Sequence, residues 1–94
     1  AYMNDTAHRI YQQCVVGEQV QRRSLRGEPL ALQRRVLRQW LIPQIPITPQ
    51  FAHVEKVVAL LTAPNRSQTD PLPGGAIAVV ADPWIRLQSP SADR

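Results

Sequence analysis

Residues 30–42 read Leu-Ala-Leu-Gln-Arg-Arg-Val-Leu-Arg-Gln-Trp-Leu-Ile, and this stretch decides the fold. Successive residues of an α-helix are rotated by about 100°, so spacings of three and four residues return to one face. On that wheel the apolar side chains fill one half of the helix, and they are Leu30, Leu32, Val36, Leu37, Trp40 and Leu41. Arg34, Arg35 and Arg38 fall on the other half. The stretch is therefore predicted to be an amphipathic helix with a core face that includes Trp40 and a basic face.

The segments on either side of this helix predict a single α+β domain of 94 residues. Further helices are predicted at 5–16 and 48–63, and an extended linker or short strand at 18–26. The chain is predicted to end in an antiparallel hairpin over 76–87, because two β-prone runs flank the turn signal Asp82-Pro83. A two-stranded hairpin is not stable by itself. We therefore expect it to pack on the three helices or to pair with residues 18–26 as a third strand.

Local signals predict where the flanking elements begin and which faces they bury. Asp5 or Thr6 is expected to cap the first helix, and Gly17 to end it in the left-handed conformation. Thr48 as cap and Pro49 as first residue are expected to start the last helix. Its core face is predicted to contain Phe51, Val54, Val57, Val58 and Leu61. The hairpin is predicted to pack against the helices through Ile77, Val79 and one or both of Trp84 and Leu87.

Cysteine usage and apolar run length indicate the setting of the protein. Cys14 is the only cysteine, and it is expected to be a core side chain of the first helix rather than a catalytic one. A lone cysteine forms no internal disulfide, which favours a reducing, cytoplasmic setting. No apolar run approaches the roughly 20 residues that span a bilayer, so no membrane partner is expected. The chain begins at Ala1 rather than Met, which predicts a processed start or a part of a longer protein.

Basic side chains outnumber acidic ones by 11 to 7, and ten of the 11 are arginines. The planar arginine fork suits phosphate better than the lysine ammonium does. This charge balance favours a nucleic-acid partner, with an ordinary solvated surface as the alternative. The candidate phosphate contacts are the basic face of residues 30–42 and the arginines just upstream, namely Arg34, Arg35, Arg38, Arg22, Arg23 and Arg26.

The sequence lacks the motifs of common catalytic and nucleotide-binding sites. It contains no P-loop, no nucleophile elbow and no glycine-rich dinucleotide fingerprint. His8 and His53 are far apart and have no second ligand at helical spacing, which favours surface or boundary positions over a metal site. Gly74-Gly75 forms either a turn that enters a strand or a backbone concavity for an anion. No catalytic and no metal-ligating residue is therefore predicted.

Residues 30–41 resemble the substrate-domain helix that follows the catalytic domain of bacterial tRNA(Ile)-lysidine synthetases. That helix carries a double arginine, an aliphatic pair, another arginine and an aromatic-Leu ending, which are Arg34-Arg35, Val36-Leu37, Arg38 and Trp40-Leu41 here. As in that family, a proline-rich loop then leads to a capped apolar helix, a polar loop with Gly74-Gly75 and a terminal hairpin. The resemblance covers roughly residues 20–87.

The resemblance implies a tRNA-binding domain that accompanies an N-terminal catalytic domain of the same chain. The family uses ATP to adenylate the wobble cytidine of an isoleucine tRNA with a CAU anticodon, and lysine then displaces AMP. ATP and magnesium belong to a PP-loop domain with a Ser-Gly-Gly-x-Asp-Ser motif, which this sequence lacks. The implied role of this chain is to position the tRNA, with no cofactor of its own and no activity when alone.

Two other functions fit the same residues. One is a stand-alone DNA-binding module, in which 30–42 and 48–63 form a helix-turn-helix. The second of these helices would then enter the major groove, yet its only basic residue is Lys56. The other is a protein-interaction domain with solvated arginines. Salt-dependent binding of tRNA, but not of duplex DNA, would distinguish the three.

Overall fold

The computed structural model describes the backbone of residues 2–88 and the side chains of residues 6–88. Within that range the chain forms helices on one side of an antiparallel sheet, which confirms the predicted α+β class. The helices are α1 (Tyr2–Cys14), α2 (Arg22–Arg26), α3 (Leu30–Leu41) and α4 (Phe51–Val58), and a 3₁₀ turn (Ala59–Leu61) extends α4. The strands are β1 (Val15–Val16), β2 (Gln19–Gln21), β3 (Ile77–Ala81) and β4 (Trp84–Gln88).

Helix α3 packs between α1 and α4, and its apolar face lies in the core. Five of the six side chains predicted for that face are buried, namely Leu32, Val36, Leu37, Trp40 and Leu41. Leu30, in the first turn, is 46% exposed instead. The indole Nε1 of Trp40 donates a hydrogen bond to the backbone oxygen of Glu18, 3.2 Å away. Trp40 is therefore a core anchor with a satisfied polar atom, as its place in the apolar stripe predicts.

The segment 18–26 contributes a strand to the sheet, so the predicted third strand is confirmed for its first half. The strand order is β1-β2-β4-β3, and every neighbouring pair is antiparallel. The second half of the segment is the helix α2 rather than extended chain. The side-chain oxygen of Gln21 accepts a hydrogen bond from the Ser24 backbone and caps this helix. The sequence did not predict this helix, because its five residues bury only Leu25 and Arg22 and therefore show no apolar periodicity.

The hairpin over 76–87 is confirmed, but it presents the opposite face of β3 to the helices. Ala78 and Val80 are buried, whereas Ile77 and Val79 are only half-buried on the outer face. The register explains this phase, because Val80 pairs with Ile85 and Ile85 pairs with Val20, which is also buried. A strand alternates its side chains between two faces, so this alignment with the neighbouring strands selects which set is buried. Leu87 packs against the core, as predicted.

Helix ends differ from the predicted positions where a competing local signal prevails. α4 begins at Phe51, because Gln50 and His53 form a capping box. The Gln50 side chain accepts a hydrogen bond from the His53 backbone, and Nδ1 of the His53 ring accepts one from the Gln50 backbone N–H. Thr48 and Pro49 therefore precede the helix. α1 is already helical at Tyr2 and ends at Cys14, so Asp5 and Thr6 lie inside the helix and not at its start. Gly17 has a left-handed φ of 62°, but it turns β1 into β2 instead of ending a helix.

Residues 66–69 cover the outer edge of β3, although their composition predicts only a loop. The Arg66 nitrogen donates to the Val80 oxygen at 3.0 Å, and the Thr69 nitrogen donates to the Ala78 oxygen at 2.9 Å. The loop then passes close to the proline-rich connection after α3. A Cβ on Gly74, whose φ is 89°, would lie 2.9 Å from Cδ of Pro46. Gly74-Gly75 is thus the turn into β3, and glycine is needed there for both conformation and space.

The buried side chain of Arg22 joins three segments that are distant in sequence. It is 6% exposed. Its Nη1 donates to the backbone oxygens of Leu60, at 2.9 Å, and Ala63, at 2.6 Å. Its Nε donates to Oδ1 of Asp82 at 3.0 Å. The Arg22 side chain therefore ties α2 to the end of α4 and to the β3–β4 turn, with every donor–acceptor contact charge-assisted.

Replacing Arg22 by leucine should cost far more stability than replacing its neighbour. Arg22→Leu leaves the Leu60 and Ala63 carbonyls without these donors, which should lower the free energy of unfolding by about 3 kcal/mol. Arg23→Leu removes a guanidinium that pairs with the same Asp82 but is 60% exposed, so about 0–1 kcal/mol is expected. Urea denaturation of both variants measures the difference. Equal losses would contradict the structural role given to Arg22.

Candidate nucleic-acid interface

The exposed side of α3 carries Arg35 and Arg38, which we call the arginine ridge. Both side chains are exposed, one helical turn apart. The ridge separates two shallow grooves. The groove toward α1 is lined by Ala7, His8, Arg35, Arg38, Gln39 and Ile42, and the groove toward α4 by Arg34, Arg35, Arg38, Phe51 and Val54. Because α3 is the middle helix, its basic face stands at the centre of the helical side of the domain.

Arg34 belongs to an ion pair rather than to the ridge. Its Nε donates to Oε2 of Glu55 at 2.7 Å and its Nη2 to Oε1 at 3.2 Å, so the pair is two-pronged. The hydrogen bonds lower the pKa of Glu55 below its ordinary value and raise the pKa of Arg34, while partial desolvation opposes both shifts. Of the two acidic partners that α3 could meet from the sequence, Glu28 and Glu55, the structure selects Glu55.

The three upstream arginines occupy different environments. Arg22 is buried and its guanidinium is engaged by Asp82 and two carbonyls, which leaves it unable to face a phosphate. Arg23 is exposed, and its Nη2 lies 2.6 Å from Oδ2 of Asp82. Arg26 is exposed, and its Nη1 donates to the Leu61 oxygen at 3.3 Å. Of these three candidates, only Arg23 and Arg26 present charge to solvent.

The cysteine and the two histidines are not part of a catalytic or metal-binding cluster among the described residues. Cys14 is buried in the core, and burial, with a smaller effect of Glu28, raises the pKa of its thiol. Its placement confirms the expected core role. His53 accepts the Gln50 backbone N–H at the start of α4, 3.0 Å away. His8 is exposed beside the ridge. In the part of the chain that the structure describes, no three His, Cys, Asp or Glu side chains converge as metal ligands, and no helix is long and apolar enough to cross a membrane.

Phe51, which was predicted to lie on the core face of α4, is a surface residue. It is 66% exposed, and Arg34 lies over its ring with the guanidinium carbon 5.0 Å from the centroid. The helical wheel puts Phe51 in line with Val54 and Val58, which explains the wrong prediction. The signal that could have corrected it is the cap. With Gln50 at the helix start, Phe51 is the first helical residue and lies beyond the end of the packed stripe.

One known protein family matches most of the chain. The family profile described as "TilS substrate binding domain" matches residues 21–82, about two thirds of the sequence. The chain belongs to this family. The TilS match begins at Gln21, the cap of α2, and ends at Asp82, so the ion pair between Arg22 and Asp82 joins the two ends of the matched region. α1, β1 and β4 lie outside it.

Curated relatives of this TilS domain are all longer proteins named tRNA(Ile)-lysidine synthase. The relative from a Nostoc species is 59% identical over 68 residues, which cover 72% of this chain and 20% of that protein. Those from a Synechococcus species, 39% identical, and a Synechocystis species, 41% identical, each align over 88 residues and 27% of their length. The chain therefore spans between a fifth and roughly a quarter of the relatives it matches.

The ion pair between Arg34 and Glu55 makes the stability of this TilS domain depend on acid pH. A carboxyl whose pKa is lowered by folding adds stability that is complete above its unfolded value and is lost as the pH falls through the folded value. The ordinary value for Glu55 is 4.5, so its contribution should fade as the pH drops below that point. Asp82, whose pKa is lowered by hydrogen bonds first from Arg23 and then from Arg22, adds to the same loss.

Glu55→Gln should therefore be less destabilised by acid than the unaltered chain. Relative to pH 7, the loss of stability at pH 3 should shrink in Glu55→Gln and shrink further when Asp82→Asn is added. Chemical denaturation midpoints measured from pH 7 to pH 3 test this. Parallel pH profiles for the three proteins would show that neither carboxyl is paired in solution.

Proposed function

We propose that this chain is the tRNA-holding, non-catalytic domain of a cytoplasmic tRNA(Ile)-lysidine synthase. The match of residues 21–82 to a substrate-binding domain family carries the proposal. The relatives are named for a reaction on tRNA, and they are about four to five times as long as the stretch that aligns with this chain. The proposal assigns adenylation of the wobble cytidine, with ATP and magnesium, to a catalytic domain elsewhere in the same protein. Lysine then displaces AMP there.

The arginine ridge supplies the contact that such a domain needs. A helix with exposed guanidiniums one turn apart can pair with phosphates of an RNA backbone, and each pairing releases condensed counterions. Arg35 and Arg38 point away from the core side of α3, so RNA can approach without disturbing the packing. Holding the tRNA body in this way limits the orientations in which the anticodon reaches the catalytic domain, which raises both rate and selectivity.

The geometry argues against the two alternative functions. A helix-turn-helix joins its helices by a turn of three or four residues, whereas residues 42–50 separate α3 from α4 here. The only basic residue of α4, Lys56, is half-buried, so α4 is poorly suited to the major groove. A pure protein-interaction role gives no reason for two exposed arginines, Arg35 and Arg38, on the same side of α3.

The proposal predicts that the chain alone catalyses nothing. Incubation of the chain with ATP, magnesium, lysine and the CAU-anticodon isoleucine tRNA should release no pyrophosphate, since the residues of a nucleotide-binding motif are missing. A pyrophosphate assay with the intact synthase as positive control measures this. Release above the blank that a point mutation in this chain abolishes would contradict the non-catalytic role.

Charge reversal on the arginine ridge should weaken tRNA binding in a salt-dependent way. In Arg35→Glu/Arg38→Glu, each lost phosphate contact should lower the slope of log affinity against log salt by roughly 0.7–0.9. The measurement is tRNA affinity over a salt series, for the chain alone and for the intact synthase, with ATP affinity expected to stay unchanged in the latter.

A matched control separates the ridge from the overall charge. Arg66→Glu/Arg86→Glu changes the net charge equally, on exposed residues of the β3-edge loop and of the outer face of β4. Its tRNA affinity should fall much less than that of the ridge variant, while thermal melts verify that both remain folded. An equal fall in both double variants, or unchanged affinity in the ridge variant, would remove the ridge from the tRNA interface.

A further inference from the structure

Phe51 is the most exposed large apolar side chain among the residues that the structure describes. Its exposed fraction is 66%, whereas those of Val16, Leu30, Ile42 and Ile47 range from 46% to 54%. The core does not need this ring, because α4 already buries Val54 and Val57. Because the core packs without it, the exposed ring is available to a ligand.

The ring of Phe51 is in contact with a charged side chain, Arg34. Arg34 lies over it at 5.0 Å from guanidinium carbon to ring centroid, a cation–π distance. Arg34 is fixed in turn by its two hydrogen bonds to Glu55. The guanidinium of Arg34 is thus held by two hydrogen bonds to Glu55 and by its contact with the Phe51 ring, and these contacts restrain both side chains. The ring is therefore preorganised, which lowers the entropy cost of binding something against it.

The surroundings of the ring indicate what binds there. Arg34, Arg35, Arg38, Phe51 and Val54 line a shallow pocket of about 230 Å³ between α3 and α4. An apolar protein segment would bring no negative charge to this arginine-rich lining and would remove water from it, which is costly. An unpaired nucleotide suits both features, since its base stacks on an aromatic ring or a guanidinium plane and its phosphates pair with arginines.

We propose that Phe51 and Arg34 form a stacking platform for one unpaired base of the bound RNA, with the arginine ridge on the flanking phosphates. This inference rests on the proposed tRNA-binding function and adds a preference to it. In paired RNA the base faces are covered by their neighbours, so only a loop, a bulge or a free end can offer a base to the platform. The domain then distinguishes unpaired from fully paired RNA at this position, independently of the phosphate contacts.

Substitutions at Phe51 test the platform, with CAU-anticodon isoleucine tRNA and a blunt, fully paired RNA duplex as probes. Phe51→Ala should weaken tRNA binding by about 5- to 150-fold, the equivalent of the roughly 1–3 kcal/mol of one stacked base. The salt slope should stay unchanged, because the ridge is intact. Phe51→Tyr should retain most of the affinity and Phe51→Leu should not, since leucine keeps apolar bulk without a π face. Duplex binding should be the same in all of them.

Controls make each outcome decisive. Ile47→Ala removes an apolar side chain that is 47% exposed in the loop before α4, and it should leave tRNA affinity unchanged. Thermal melts should stay near those of the unaltered chain, because Phe51 contributes little to the core. Full affinity in Phe51→Ala, rescue by Phe51→Leu, or an equal loss in Ile47→Ala would each overturn the platform.

The two proposals fail in different ways. If Phe51→Ala binds tRNA normally while Arg35→Glu/Arg38→Glu does not, the platform is wrong and the tRNA-binding function stands. If neither variant loses affinity, both the platform and the arginine ridge lie outside the tRNA interface, and the proposed function itself fails only if the unaltered protein does not bind tRNA. If Phe51→Ala binds tRNA normally but no longer associates with the catalytic domain of the synthase, the ring serves a protein contact and the platform is overturned.

Discussion

The guanidinium of Arg22 connects parts of the chain that no continuous element connects. From α2 it reaches the carbonyls of Leu60 and Ala63 at the end of α4, and Asp82 in the β3–β4 turn. Because a buried charge is tolerated only where its donors are matched, these three partners must be in place together. This requirement constrains the relative positions of α2, the end of α4 and the hairpin.

Arginine serves three purposes in this small domain, and the surroundings of each guanidinium decide which. Arg22 is a buried connector. Arg34 is half-exposed, paired to Glu55 and stacked over Phe51, so its charge orients an aromatic ring. Arg35 and Arg38 face outward on the middle helix. The planar, five-donor guanidinium suits all three settings.

The division of the domain into two layers matches the division of labour that we propose. The sheet and the buried faces of the helices hold the core, and the edge of β3 is covered by residues 66–69, which limits pairing with other chains. The outer side of the helices carries the arginine ridge and Phe51. The region matched by the TilS family runs from the cap of α2 to Asp82 and includes both. RNA can thus be held on one layer while the other maintains the fold.

The sequence by itself determined the α+β class, the amphipathic helix α3 with Trp40 in the core, the C-terminal hairpin and the family resemblance. Each of these depends on local periodicity, turn residues or motif order, which one stretch of chain contains. It also indicated the basic face of α3 and, with Glu28 as the alternative, Glu55 as an acidic partner for Arg34.

The tertiary structure decided the rest. Whether β3 buries Ala78 and Val80 or the alternate set depends on pairing with β4 and β2, and whether Arg22 faces solvent or carbonyls depends on where α4 ends. The exposure of Phe51 depends on a cap formed by Gln50 and His53. These outcomes are set by partners distant in sequence or by competition between neighbouring caps, and periodicity within one segment contains no information about either.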